Sequence, residues 1–198
     1  MPRRPDPTRR TILQALTAAP LALVLGARLG ADDQLPATPA CADDHDVTEP
    51  TTEGPFFKPS SPLRASLMEA GTRGTRLSVS GLVLSTGCRP VPNALIEFWQ
   101  ADDRGEYDNT GFRLRGHQFT DAQGRYRVDT VVPGLYPGRT RHLHVKVQAP
   151  SRPVLTTQLF FPGEARNTSD GIFRRSLLMK MSGADAAQIG TFDFVLKM

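Results

Sequence analysis

RTRHLHVKV, residues 139–147, alternates two kinds of side chain with a period of two. Leu143, Val145 and Val147 fall on one side of an extended chain, and His142, His144 and Lys146 fall on the other. That period marks a strand with one face in a core. The other face then looks at water, at another strand or at a metal. Imidazoles two residues apart on a strand project the same way, about 6–7 Å apart at the backbone, which suits two nitrogen ligands of one ion. Read alone, the H-x-H pattern fits a metal site and equally fits decoration of a surface.

Working outward, the chain from Leu77 reads as short strands separated by turn clusters. RLSVSGLVLS (76–85) and ALIEFWQA (94–101) flank the turn cluster TGCRPVPNA (86–94). A long polar loop, DDRGEYDNTG (102–111), follows. FTDAQGRYRVDTVV (119–132) joins a turn at Asp121–Gly124 to an alternating strand with Tyr126, Val128, Thr130 and Val132 on one face. PGLYPG (133–138) is another turn, and PVLTTQLFFPG (153–163) and GTFDFVLKM (190–198) complete the strands. Only 62–70 and 184–189 carry short helical patterns. Strands at this spacing predict an all-β chain: a single β-sandwich domain over 48–198, with long loops and a few short helical turns.

Bulk properties agree. A chain of 198 residues, 39% hydrophobic and 22% charged, is long enough for one domain with a proper core. Seventeen prolines and 17 glycines favour a turn-rich β architecture. The net charge of +4 is concentrated at one end. Residues 1–31 hold five of the 24 basic residues and one of the 20 acidic ones, which leaves a body of 19 and 19. A balanced body removes the main support for a nucleic-acid partner.

The first 31 residues have the layout of an export signal. TRRTILQ (8–14) precedes the apolar stretch ALTAAPLALVLGA (15–27), too short and interrupted for stable membrane insertion. Paired arginines before a modest apolar region resemble a twin-arginine signal, although Ile12 and Gln14 stand where Phe and Lys are more usual. The expected fate is periplasmic or extracellular, with the twin-arginine translocation machinery as a transient partner. A Pro-containing linker (32–47) follows. The two cysteines, Cys41 and Cys88, are an even pair in an exported chain and are expected to form a disulfide.

Chemistry narrows to a few residues. Two of the three tyrosines, Tyr107 in GEYDN and Tyr136 in GLYPGR, sit among turn formers, whereas Tyr126 belongs to a strand and reads as core. Zinc-type Cys pairs, H-E-x-x-H, EF-hand loops, phosphate loops and nucleophile elbows do not occur. Two imidazoles with two phenolates form a hard, anionic donor set suited to ferric iron: two phenolates and a hydroxide neutralise a 3+ charge. His117 and His45 read as surface or loop histidines, Trp99 as core, and Arg141 as a solvated turn arginine.

WQADDRGEY (99–107), FTDAQGRY (119–126), GLYPGRTRHLHVKV (134–147) and TQLFFPG (157–163), preceded by TEGPFF (52–57), resemble the intradiol ring-cleaving dioxygenases. The likeness spans roughly 48–198 and is strongest to the compact, exported branch of that family, which the short 136–142 spacing also suits. It implies Fe(3+) held by Tyr107, Tyr136, His142 and His144, with Arg139 and Gln158 beside the substrate and Gly54, Pro55 and Phe56 lining its pocket. It implies that a small aromatic diol displaces the Tyr136 tyrosinate and is opened between its hydroxyls by O2 to a muconate-type dicarboxylate. Arg139 would stabilise the electron-rich ring. The chain length also admits a homo-oligomer. The competing readings are a non-catalytic binding module with a surface H-x-H, and a copper or zinc enzyme on the same sandwich.

Overall fold

The structure, a computed structural model, describes residues 47–184 and 186–198. Among the described residues nine strands build two sheets. One has the order β4-β1-β8-β7, with β9 also paired to β1: β1 is Arg76–Ser85, β4 Arg125–Val131, β7 Lys180–Ala184, β8 Ala187–Thr191 and β9 Phe194–Leu196. The other has the order β3-β2-β5-β6: β3 is Arg115–Phe119, β2 Leu95–Trp99, β5 His142–Gln148 and β6 Leu155–Phe160. The sandwich expected from the strand spacing is the observed fold. Alternate residues face inward, so Leu77 and Val79 of β1, Tyr126 and Val128 of β4, Ile96 and Phe98 of β2, and Leu143, Val145 and Val147 of β5 make one buried core. Burial of apolar area on this scale stabilises the sandwich at roughly 25 cal/mol per Å² removed from water.

Both helical expectations fail. Residues 62–67 instead stitch the edges of the two sheets: His117 N–H donates to Pro62 O at 3.0 Å and Asp129 N–H to Ala65 O at 2.9 Å. Leu67 enters the core. Edge strands with unpaired backbone groups outweigh a modest local helix propensity. The 184–189 pattern falls in the β7–β8 hairpin, where β8 runs parallel to β1 from Ala187 to Thr191. Sheet pairing there overrides the helix propensity of its alanines and glutamine. Among the described residues, helical turns form at Ala165–Thr168 and Arg175–Leu177. All of β3 but Phe119 lies in 112–118, a stretch to which the sequence alone assigns no element.

The second sheet also buries its outer face. Residues 48–64 run across it as a strap. Thr51 N–H donates to Thr156 O of β6 at 2.9 Å, the Phe57 ring meets Trp99 of β2 at 5.0 Å, and Arg64 N–H donates to His117 O of β3 at 2.9 Å. The polar side of β5 therefore looks neither at water nor at the other sheet, but at the strap. Lys146, on that side, pairs with Glu53 and lies 3.6 Å from the centre of the Phe57 ring. Arg141 departs from its expected solvated state: Nε donates to Glu164 Oε1 at 2.6 Å, and Nη1 also binds the Pro133 carbonyl. His117 stands half-buried on β3, with Nδ1 3.2 Å from Ser61 Oγ. Cys88 is not a free thiol; its expected partner Cys41 lies outside the described residues, as do the leader 1–31, most of the 32–47 linker and His45. Among the described residues no helix is long and apolar enough to cross a membrane.

Candidate metal centre

Pairing across the second sheet sets Arg115, Trp99, His144 and Gln158 in one row, since Trp99 is registered with Arg115 and His144, and His144 with Gln158. Directly paired residues project to the same face, so this row forms the floor beneath the strap. The Trp99 indole stacks on the His144 ring at 4.8 Å and fixes its plane. His142 and His144 are only 5% and 2% exposed, which removes the reading of H-x-H as surface decoration.

Three donor atoms converge there. Tyr107 Oη lies 3.3 Å from His142 Nε2 and 3.0 Å from His144 Nε2, and the two Nε2 atoms are 3.1 Å apart. His142 Nδ1 lies 2.6 Å from the Thr140 carbonyl. A carbonyl only accepts, so Nδ1 carries the proton and the Nε2 lone pair faces the other two donors. His144 Nδ1 is buried without a hydrogen-bond partner. Facing imidazole nitrogens at this distance need a proton or a cation between them, and burial disfavours the proton. Desolvation pulls His142 down to about 4 against the opposing Thr140 carbonyl, with Arg139 adding to the fall. Desolvation lowers His144 as well, helped by His142, Arg139 and Arg115. Burial raises the Tyr107 phenol, a rise that Arg139 and Arg115 oppose and Tyr136 adds to. Two ligands about 2.1 Å from one ion at right angles stand about 3.0 Å apart, which the three separations match. Among the described residues no three His, Cys, Asp or Glu side chains gather to hold a metal, so any centre here depends on phenol oxygen.

The neutral imidazoles have a consequence for stability. Unfolded histidines take up protons below about pH 6.5, whereas folded His142 resists until about 4. The contribution is complete above the unfolded value and is lost as pH falls through the folded one. Calorimetry on the metal-free protein should show a melting temperature that drops between about pH 6.5 and 4. A flat profile in that window would contradict a buried neutral pair.

The donors open into a cavity of about 300 Å³ lined by Thr52, Gly54, Pro55, Phe56, Tyr107, Tyr136, Arg139, His142, His144 and Ile172. The three strap residues expected there are present. Gly54 has φ +72, and a Cβ on it would stand 3.3 Å from His144 Cε1, so the strap passes this close only with glycine. Gly105 plays a similar part between the two tyrosine loops: a Cβ there would meet Leu135 O at 2.4 Å. Tyr136 reaches the cavity edge-on, its ring 5.4 Å from Phe56 and 5.8 Å from Tyr107. Unlike Tyr107, its hydroxyl has no hydrogen bond among the described residues.

Arg139 is held from two sides. Nε donates to Asp170 Oδ2 at 2.8 Å and Nη2 to Gln158 Oε1 at 2.6 Å, while Gln158 Nε2 donates to Thr52 O at 3.0 Å. Nη1 keeps its donors. Gln158, fully buried, thus stands behind Arg139 and outside the cavity lining. Asp170, which the sequence reading missed, also accepts from Thr140 N–H at 2.8 Å and, through Oδ1, from Ile172 N–H at 2.9 Å. Burial would raise its carboxyl, but the bonds from Thr140, Ile172 and Arg139 prevail and hold it below the usual range. Arg115, Thr52 and Ile172 were missed too. Thr52 opens the TEGPFF motif beside the three strap residues expected there, whereas no local pattern marks Arg115 or Ile172.

Comparison with known proteins accords with this geometry. A family model described as Dioxygenase matches residues 52–197. Hydroxyquinol 1,2-dioxygenase of Nocardioides simplex is 34% identical over 152 residues, covering 65% of this chain and 52% of that one. The protocatechuate 3,4-dioxygenase beta chain of Burkholderia cepacia is 34% identical over 155 residues, covering 63% and 65%. The chain thus spans about half to two thirds of the length of these curated relatives. Among solved structures, the dioxygenase domain of a dioxygenase–carbohydrate-binding fusion from Streptomyces sp. SirexAA-E is 57% identical, with a TM-score of 0.75 over 77% of this chain and 99% of that one. By its sequence, its sandwich and the matched span, this chain belongs to the intradiol ring-cleavage dioxygenase family.

Proposed function

We propose that the chain is a non-haem ferric-iron dioxygenase that opens a catechol-type diol between its two hydroxyls, with O2, to a muconate-type dicarboxylate. The observation that carries this reading is the meeting of Tyr107 Oη, His142 Nε2 and His144 Nε2 within 3.0–3.3 Å of one another at the base of a cavity. Tyr107, His142, His144 and Tyr136 would hold the iron. Phenolate is a hard donor that favours ferric iron over the softer ions that a copper or zinc reading requires. When bound, ferric iron supplies the Lewis acidity that lets a diol ionise near neutral pH and makes its ring reactive toward O2.

The chain's own residues account for the rest. Tyr136 Oη, unbonded at the rim, is placed to take up a diol proton and leave room for the diol oxygens. Arg139, held in advance by Asp170 and Gln158, would use its Nη1 donors to stabilise the electron-rich ring and the negative charge that develops during ring opening. Phe56, Pro55 and Ile172 give the ring apolar walls and exclude water.

Purified protein loaded with ferric iron should be red-brown and should consume one O2 per diol opened. Catechol, hydroxyquinol and protocatechuate, the diols in the names of its relatives, form the first panel. Colourless iron-loaded protein, or no oxygen uptake with any diol, overturns the reading.

We also propose export through the twin-arginine route, supported by the layout of residues 8–27. That route carries folded proteins, so iron loads before export and a Cys41–Cys88 bridge closes after it. Lysine at both Arg9 and Arg10 should leave the protein in the cytoplasm, and normal export of that variant would defeat the proposal.

A further inference from the structure

Arg115 begins β3 at the end of the row that carries Trp99 and His144, and it is 1% exposed. No ion pair among the described residues includes it. Its charge is buried against neutral acceptors instead. Nη1 donates to the Phe56 carbonyl at 2.6 Å, and Nη2 and Nε donate to the Asp108 carbonyl at 2.8 and 3.2 Å. A buried cation with no carboxylate in ion-pair contact is costly compared with an apolar residue of similar volume, so its placement calls for a reason. The two carbonyls supply one. Asp108 directly follows Tyr107, and Phe56 is the strap residue whose ring stacks on Tyr107 at 4.3 Å.

We propose that Arg115 is a positioning residue that ties the strap bearing Gly54, Pro55 and Phe56 to the loop bearing Tyr107, and so sets where Tyr107 Oη stands relative to the two imidazoles. A planar guanidinium can hold both carbonyls at once, whereas a lysine ammonium is a compact point charge that cannot reproduce the fork. A second tie lies farther out: Lys58 Nζ donates to Thr110 O at 2.9 Å and to Gly111 O at 2.8 Å. It joins the same segments away from the phenol and serves as the comparison. The proposed consequence for iron rests on Tyr107 being a ligand; the tie itself does not.

The test is amide hydrogen exchange on the full chain for Arg115→Met, Arg115→Lys and Lys58→Met, with ferric-iron affinity and visible absorption measured in parallel. Both Arg115 variants should exchange about tenfold faster over residues 52–58 and 105–111, with the central strands β1 and β5 unchanged. Their iron affinity should fall about 10- to 100-fold, the range for losing a group that supports a ligand, and the tyrosinate absorption band should shift. Lys58→Met should hold its iron within about twofold, as expected for a contact that touches neither the phenol nor the imidazoles. Wild-type exchange in both segments of Arg115→Met overturns the proposal. So does uniform acceleration throughout both sheets in the two Arg115 variants, the signature of a packing residue alone. If the wild-type protein binds no ferric iron, the proposed function fails, while the exchange pattern still decides the tie.

Discussion

Tyr107→Phe is expected to weaken ferric-iron binding by more than about 100-fold, beyond the range for losing a ligand's supporting partner, and to abolish oxygen uptake. The substitution is clean because it spares the ring, which stacks on Phe56 at 4.3 Å, and removes only the oxygen that approaches both Nε2 atoms. Equilibrium dialysis and the visible spectrum measure it directly. His144→Ala should have the same effect on iron, with some loss of stability because the Trp99 ring loses its stacking partner. Tyr126→Phe is the control. Its hydroxyl donates to Phe192 O at 2.7 Å in the core, far from the cavity lining, so it should cost about 1 kcal/mol of stability and leave iron and activity intact. Wild-type colour and uptake in Tyr107→Phe would remove Tyr107 from the ligand set.

Arg139→Met should lower kcat/KM by about 10²- to 10³-fold, the scale for deleting one donor to developing charge. It should also destabilise the fold by about 1.5–3 kcal/mol, the range for a hydrogen bond to a charged group, because a carboxylate whose side chain is 2% exposed keeps only the Thr140 and Ile172 N–H donors. The two effects separate in a double variant: Arg139→Met with Asp170→Asn should recover much of the stability and none of the activity. Denaturant titration and steady-state kinetics read the two quantities independently. The pH dependence has a definite sign. Asp170 is held below the usual carboxylate range, so its contribution is complete above that range and is lost as pH falls through its folded value. In Arg139→Met the folded carboxyl moves back toward its unfolded value, so the loss should be smaller and should be complete at a higher pH. An Arg139→Met protein as stable as wild type would show that Asp170 does not depend on its partner.

Much of this was legible in the chain itself, for a reason that differs between elements. β1, β2, β4 and β5 were readable because each has one face in the core, so period-two alternation is written into it, and β6 was readable as a short β-branched and apolar run between prolines. Residues 184–189 were misread because β8 draws its stability from pairing with β1 across more than a hundred residues of sequence, information that no local window holds. The helical pattern of 62–70 fails for a similar reason: residues 62–67 complete sheet edges, and their backbone rather than their side-chain pattern decides the outcome.

The site divides the same way. His142 and His144 declared themselves through their spacing on one strand, and the flanking motifs brought in Tyr107, Tyr136 and Arg139. By itself, then, the sequence determined the sandwich, the donor types and the family resemblance, because these depend on residue identity and short-range period. Only the tertiary structure decided what covers the histidine face, that Gln158 stands behind Arg139, and that Asp170 and Arg115 brace the cavity. Those roles depend on carbonyls and amides brought together from distant segments, and a backbone group leaves no trace of its partner in the identity of its residue.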